Sequence, residues 1–211
     1  YSPITLVDIL IEQVYDFRCR IVSFHTQEFD VGKVLQSIYY DSDWERDIQN
    51  RTMMGGYQIR NAHLTELCDQ EMRKFMGELT KVVQQYLELE YAPGAQLARE
   101  EVGLPPIAID LCSYWINVMP PGAYHRIHTH PNTNLSGVFY LQAPEGSGDL
   151  YIPSPYDNGI DTIIKTVPDY VLKPEVRQVY LFPSSLPHSV SRNESDEDRV
   201  SISFNLKLKN L

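Results

Sequence analysis

The sequence predicts a mainly β fold with N-terminal helices, a sandwich or barrel braced by helices on one face. Two changes of pattern point there. Between residues 65 and 89, Met72, Phe75, Met76, Leu79, Val82, Val83 and Tyr86 recur at the i, i+3, i+4 and i+7 spacing of a buried helix face. After Pro106 the apolar period falls to 2, and short runs alternate with Pro-Gly, Gly-Ser-Gly and Asp-Asn-Gly turns. Many short strands behind a helical section make a two-layer or barrel core with helices on its outside. The 211 residues contain no repeat and no linker, so one domain, 1–211, is expected. Its residues 1–105 are read as largely helical and 106–211 as the strand core.

In the first part, Asp30 is placed to cap a short helix with Val31, Val34, Leu35 and Ile38 on one face. The polar stretch 41–62, with Gly55-Gly56, reads as loop. The long helix 65–89 then stops at Tyr91-Ala92-Pro93-Gly94. The strand-like runs that follow are 107–119, 135–143, 161–167, 177–183 and 199–208. The last has two distinct faces: Val200, Ile202, Phe204 and Leu206 on one, Arg199, Ser201, Ser203 and Asn205 on the other. Either the polar face is wet, or the long helix covers the apolar face and the polar one lines a cavity between sheets.

Eighteen basic against 28 acidic side chains leave a net charge of −10. That balance argues against nucleic acid, whose binding needs a positive surface, and against anionic membranes. No apolar run approaches the ~20 residues of a spanning helix. The start, Tyr1 to Leu10, has no basic n-region or cleavage pattern of a secretory signal, and the absence of an initiator Met suggests a trimmed or partial chain. Cys19, Cys68 and Cys112 are odd in number and far apart, which reads as reduced thiols in a cytoplasmic protein.

The chemistry concentrates in histidine. Three of the six histidines, His125, His128 and His130, fall within residues 122–131 after a Pro-Pro-Gly turn. In extended chain His128 and His130 point the same way, so both imidazoles can reach one ion. His125 is out of phase and is expected at the rim or behind the ligands. His188, which follows a strand and a Pro-containing turn, is the candidate distant partner; His25 and His63 lie in the helical part and read as structural or exposed. With no cysteine among them, the set disfavours structural zinc and suits iron, copper, nickel or catalytic zinc. Eleven residues beyond His188, Arg199 and Ser201 share a strand face. A guanidinium beside a hydroxyl makes a carboxylate clamp. The other role open to Arg199 is to balance the acidic turn of Glu194, Asp196, Glu197 and Asp198.

These residues resemble the iron(II)- and 2-oxoglutarate-dependent oxygenases. That superfamily's signature is His-x-Asp, a distal His, then Arg-x-Ser about ten residues on. Here it reads His128-Thr129-His130, His188, Arg199-Val200-Ser201. Four blocks, 113–131, 135–155, 181–190 and 198–206, are similar to a group of uncharacterised oxygenases of this size, and residues 55–61 look like that group's upstream motif. The resemblance implies a double-stranded β-helix, the cupin-like jelly roll, with iron at its mouth. It implies 2-oxoglutarate chelating the iron, with Arg199 holding the far carboxylate and Ser201 assisting. Tyr140 and Asn117 lie on strands expected to line the cavity, as cosubstrate or substrate contacts or else as a core tyrosine and a strand-end asparagine.

One position departs from the signature: His130 stands where the carboxylate ligand belongs. His130 as a true third ligand ranks first, Asp149 supplying a carboxylate from the next strand second, and an open position third. The implied activity is oxygenation, usually hydroxylation, with 2-oxoglutarate decarboxylated to succinate. Its rivals are a non-catalytic jelly-roll binding protein and a three-histidine dioxygenase that does not use 2-oxoglutarate. The substrate, a small molecule or a peptide, is unmarked, and an exposed sheet edge would suit a homodimer.

Overall fold

The computed structural model describes residues 21–26, 29–40, 52–60, 66–90, 99–105, 107–153 and 169–210. In chain order its elements are β1 (Val22–His25), α1 (Val31–Tyr40), β2 (Met53–Met54), β3 (Tyr57–Arg60), α2 (Glu66–Glu90), β4 (Ala108–Met119), β5 (Tyr124–His128), β6 (Leu135–Gln142), β7 (Leu150–Ile152), β8 (Tyr170–Leu172), β9 (Gln178–Pro183), β10 (His188–Val190) and β11 (Arg199–Lys209). The strands form a six-stranded sheet, β1-β9-β6-β11-β4-β3, and a five-stranded sheet, β2-β5-β10-β7-β8, paired antiparallel throughout. This is a jelly roll with helices on the outer face of the larger sheet.

The alternation of β11 decides how the layers stack. Val200, Ile202, Phe204 and Leu206 join one buried cluster with Met72, Phe75, Leu79 and Val83 of α2. Phe75 stacks on Phe139 of β6, ring centroids 5.2 Å apart, and meets Phe204 edge-on at 5.5 Å. Each such aromatic contact adds about 0.5–1.5 kcal/mol beyond the area it buries. The opposite faces of the same strands turn inward. There Met119, Tyr140 and Tyr180 from the large sheet meet Leu150, Ile152 and Val190 from the small one. The polar face of β11 therefore lies between the sheets and is not wet.

The two helices are tied together where α1 begins. Asp30 Oδ1 accepts the Lys33 N–H at 3.1 Å, the expected cap. The Asp30 N–H donates to Glu71 Oε2 of α2 at 2.7 Å, and Lys74 donates to Glu71 Oε1 at 2.6 Å. Glu71 is 3% exposed, so its truncation leaves a partly buried N–H without its acceptor. Glu71→Ala should cost about 1–3 kcal/mol of stability, read as a lower urea midpoint. An unchanged midpoint would mean that water replaces the carboxylate.

Several expectations change. The stretch 41–62 is not all loop, because β2 and β3 lie within it and extend one sheet each. The chain can pass from one sheet to the other here because Gly56 has no side chain: a Cβ there would sit 2.6 Å from the Val118 carbonyl oxygen. The first part also contributes β1, so His25 is an exposed strand residue, 3.5 Å from Glu175, and not a helical one. The short strands β5, β7, β8 and β10, of three to five residues, carry too few positions for a period-2 signal and were not separated in the sequence. The expected strand 161–167, the stop at 91–94, His63 and Cys19 lie outside the described residues. Cys112 is a free, exposed thiol. Among the described residues no helix is long and apolar enough to cross a membrane.

Candidate metal centre and carboxylate pocket

β5 and β10 are neighbours in the small sheet, and their register sets His128 directly opposite His188. Residues opposite each other on one face have close Cβ atoms, and these two rings stand 4.3 Å apart. Each ring is turned by the carbonyl two residues before it. His128 Nδ1 pairs with the Arg126 carbonyl at 2.8 Å and His188 Nδ1 with the Leu186 carbonyl at 2.9 Å. Carbonyls only accept, so Nδ1 carries the proton in both rings and each Nε2 keeps a free lone pair.

His130 arrives on the turn after β5. Its N–H donates to the Ser184 carbonyl at 2.9 Å, and the Thr133 hydroxyl donates to Ser184 Oγ at 2.9 Å. The turn carrying one ligand is thus pinned to the turn that leads to the other. His130 Nε2 lies 3.3 Å from His188 Nε2, and the ring stacks on Trp115 of β4 at 5.7 Å. One ligand atom from each of His128, His130 and His188 falls within 4.8 Å of the others. Two nitrogens bound at ~2.1 Å with tetrahedral or octahedral angles stand roughly 3.0–3.4 Å apart, which the closest pair already matches.

His125 stays out of this group. It is buried, lines the cavity, and lies 5.7 Å from His128. An odd spacing should have sent the two to opposite faces. The β5–β10 pairing is irregular here: His128 faces His188 while His125 faces Val190, three steps against two, and the extra residue brings both histidines inward.

Burial holds the whole cluster neutral. Desolvation pulls His188 and His125 down to about 3 and His130 to about 4, helped by the neighbouring His128, and it lowers His128 against the opposing carbonyl bond. Neutral imidazole is the form that binds metal. The same shift has a stability consequence. The folded state binds fewer protons than the unfolded chain between pH 6.5 and about 3, so stability falls as pH drops through that window. For His125 alone the loss at pH 5 is about 2 kcal/mol. Metal-free protein should melt lower at pH 5 than at pH 7, and His125→Asn should flatten that dependence. An unchanged slope in the variant would show that His125 is not kept neutral by the fold.

At the start of β11, Arg199 is 2% exposed. Its guanidinium lies 5.0 Å from the Tyr140 ring, Nη1 reaches Met119 Sδ at 3.8 Å, and Nε has no hydrogen-bond partner. Among the described residues no carboxylate pairs with it, so it does not serve to balance the acidic turn. Burial lowers its pKa, and the neighbouring Tyr140 partly offsets this. Ser201 is buried on the same face, and its register partners are Asn117 on β4 and Tyr140 on β6. Tyr140 is fully buried. Its Oη has no well-formed hydrogen bond, and burial pushes the phenol up to about 12, so it remains a donor.

Asn117 is already engaged. Its Oδ1 accepts from Gln58 Nε2 at 2.8 Å, and its Nδ2 donates to Ser203 Oγ at 2.8 Å. Gln58 is the residue that periodicity overlooked, because it sits on β3 inside the stretch read as loop. The signal for it was the upstream motif 55–61. Asp149 does not join the imidazoles. It closes its turn through a backbone pair with Ser191, including N–H to Ser191 Oγ at 2.8 Å, and its charge acts instead on Arg199 and Tyr140. The neighbouring Gly148 has φ +96°, where a Cβ would lie 2.4 Å from the Ser191 carbonyl oxygen.

The three imidazoles, Arg199, Ser201, Gln58, Asn117 and Ser203 all line one cavity of about 560 Å³ between the sheets. Residues 113–205 match the family model described as "Putative 2OG-Fe(II) oxygenase". The chain is similar to the 2OG-Fe(II) oxygenases. A prolyl-4-hydroxylase from Pseudomonas putida is 16% identical, with a TM-score of 0.55 over 89% of this chain and 91% of that one. A prolyl hydroxylase from Trichoplax adhaerens is 14% identical, with a TM-score of 0.57 over 89% and 83%. An oxidoreductase of the 2OG-Fe(II) oxygenase family from Burkholderia pseudomallei is 13% identical, with a TM-score of 0.53 over 89% and 84%. At these identities the likeness establishes the shared jelly-roll fold. No curated protein matches the chain in sequence.

The two groups that the name of the 2OG-Fe(II) oxygenases implies are a ferrous ion and 2-oxoglutarate. The residues fit both. Three neutral nitrogens that approach one another suit a first-row ion. A buried guanidinium whose Nε has no partner, beside an unpartnered phenol and a buried serine, suits a carboxylate.

Proposed function

We propose that this protein is an Fe(II)- and 2-oxoglutarate-dependent oxygenase that oxidises an uncharged group of a small-molecule or peptide substrate. The observation that carries the reading is Arg199, a fully buried cation with no carboxylate partner among the described residues, in the same cavity as three convergent imidazoles. A buried charge left unpaired costs several kcal/mol, so a fold that keeps one is holding it for a ligand.

In this reading His128, His130 and His188 hold the iron. Arg199 grips the distal carboxylate of the cosubstrate with its fork, Ser201 adds a hydrogen bond, and the Tyr140 phenol donates beside them. Iron with its cosubstrate supplies the oxidising power, consuming dioxygen as 2-oxoglutarate loses carbon dioxide to become succinate. Three imidazoles bring no negative charge, so an anionic cosubstrate is what neutralises the ion. The two are therefore expected to bind cooperatively.

The substrate class follows from the remaining walls. Among the described residues lining the cavity, Arg199 is the one ionised side chain; the rest offer amides, hydroxyls and apolar surface. A charged substrate group would lose its hydration there and gain no partner. Hydrogen bonds along Gln58, Asn117 and Ser203 suit a neutral polar group. A three-histidine dioxygenase that dispenses with 2-oxoglutarate would leave the burial of Arg199 without a reason.

The test is succinate formation. Iron-loaded protein in air should convert 2-oxoglutarate slowly to succinate even without substrate, and His188→Ala should not. If succinate never forms and 2-oxoglutarate does not bind, the proposal fails.

A further inference from the structure

The three imidazoles are not held alike. His128 and His188 stand on paired strands of the small sheet, and a carbonyl two residues upstream fixes the Nδ1 proton and the ring plane of each. His130 stands on a turn, and its ring makes one polar contact among the described residues, the 3.3 Å approach to His188 Nε2. Among the described residues no carbonyl anchors its Nδ1. On the metal side its ring stacks on His188, centroids 5.1 Å apart with 8° between planes; on another side it stacks on the indole of Trp115 at 5.7 Å with 28° between planes, among the described residues the one ring neighbour outside the histidine cluster. Trp115 belongs to β4 of the large sheet, where its register partners are Ser203 and Arg60. The indole thus reaches from one sheet to a residue carried by the other.

We infer that Trp115 is the positioning residue for His130, setting by stacking the ring that hydrogen bonds set for His128 and His188. This rests on the reading that His130 is the third metal ligand. The physical reason is rotational. A ring on a turn, with one polar contact and an unanchored nitrogen, is free to turn about its χ angles, and binding metal must then overcome that freedom. A flat aromatic partner stacked beside the ring removes part of it in advance. The backbone pinning of the turn by Ser184 fixes where His130 starts, and it leaves the ring plane to Trp115.

A double-mutant cycle in metal affinity tests this. Zn(II) or Co(II) is titrated into the metal-free protein against a chromophoric chelator, for wild type, Trp115→Ala, Trp115→Phe, His130→Ala and the Trp115→Ala/His130→Ala pair. Loss of one aromatic stack should weaken binding about three- to tenfold in Trp115→Ala. Phenylalanine should restore most of it. In the His130→Ala background the tryptophan change should have no further effect, because the ring it positions is gone. Trp115 is only half-buried, so the fold should tolerate these changes. If alanine fails to fold, Trp115→Leu, which keeps bulk without the ring, replaces it. Wild-type affinity in Trp115→Ala, or an equal loss with and without His130, overturns the inference and leaves the metal site standing. Wild-type affinity in His130→Ala overturns the three-imidazole site itself, and this inference with it.

Discussion

Replacing Arg199 with lysine is expected to weaken 2-oxoglutarate binding by roughly ten- to a hundredfold while leaving metal affinity unchanged. The charge survives the exchange and the geometry does not. Arginine offers two parallel N–H donors that match two carboxylate oxygens, whereas an ammonium binds as a point. Losing one charge-assisted hydrogen bond costs on the order of 1.5–3 kcal/mol. Burial adds a second penalty. Arg199 is 2% exposed, and a lysine buried there shifts toward its neutral form more readily than arginine does. The measurement is calorimetric titration of zinc-loaded protein with 2-oxoglutarate, wild type against variant. Equal affinities would mean that the cosubstrate's far carboxylate lies elsewhere.

The second large effect concerns His188. It is the most central of the three imidazoles, 4.3 Å from the ring of His128 and 3.3 Å by nitrogen from His130. Loss of a residue that merely orients a ligand commonly costs ten- to a hundredfold in metal affinity, so loss of the ligand itself should exceed about a hundredfold. His188→Ala should therefore purify with little iron. The fold should hold, because the imidazole contributes less apolar packing than the aliphatic residues around it. Elemental analysis beside a circular-dichroism melt separates the outcomes. Full iron occupancy in a folded variant would remove His188 from the site.

The parts of this molecule that were legible in the sequence are those with long periods. The face of α2 repeats from Met72 to Tyr86, about four turns, and β4, β6, β9 and β11 are long enough to alternate visibly. The two-faced pattern of β11 even left open the cavity between the sheets, and the packing of Phe75 against Phe139 and Phe204 decided for it. What stayed hidden is short or irregular. β10 has three residues, and the pairing irregularity that turns His125 inward is a property of two strands together and of neither sequence alone. Gln58 lay unseen because β2 and β3 are brief and flank two glycines. The polar row on β11 could be read from spacing. That Arg199 would lie buried with no carboxylate paired to it among the described residues could not, because the sequence next to it is acidic and only the fold turns the guanidinium away.

His130 shows the same division. Its spacing from His128 marked it as a ligand candidate, and the 3.3 Å approach to His188 is consistent with that role. Its stacking on Trp115 depends on how β4 faces the turn after β5, which no local pattern encodes. Asp149, the competing carboxylate, was plausible by proximity in the chain. Its backbone is instead tied to Ser191, and it is not part of the group of three imidazoles.

The central claim is that one cavity binds a ferrous ion and 2-oxoglutarate together. Its most direct test is anaerobic titration of the iron-loaded protein with 2-oxoglutarate, followed by visible absorbance. Chelation of ferrous iron by a 2-oxo acid gives a charge-transfer band that neither component shows alone. The account predicts a saturable band in wild type that needs far more 2-oxoglutarate in Arg199→Lys and is missing in His188→Ala. No band at millimolar 2-oxoglutarate, in wild-type protein shown to hold iron, would contradict it.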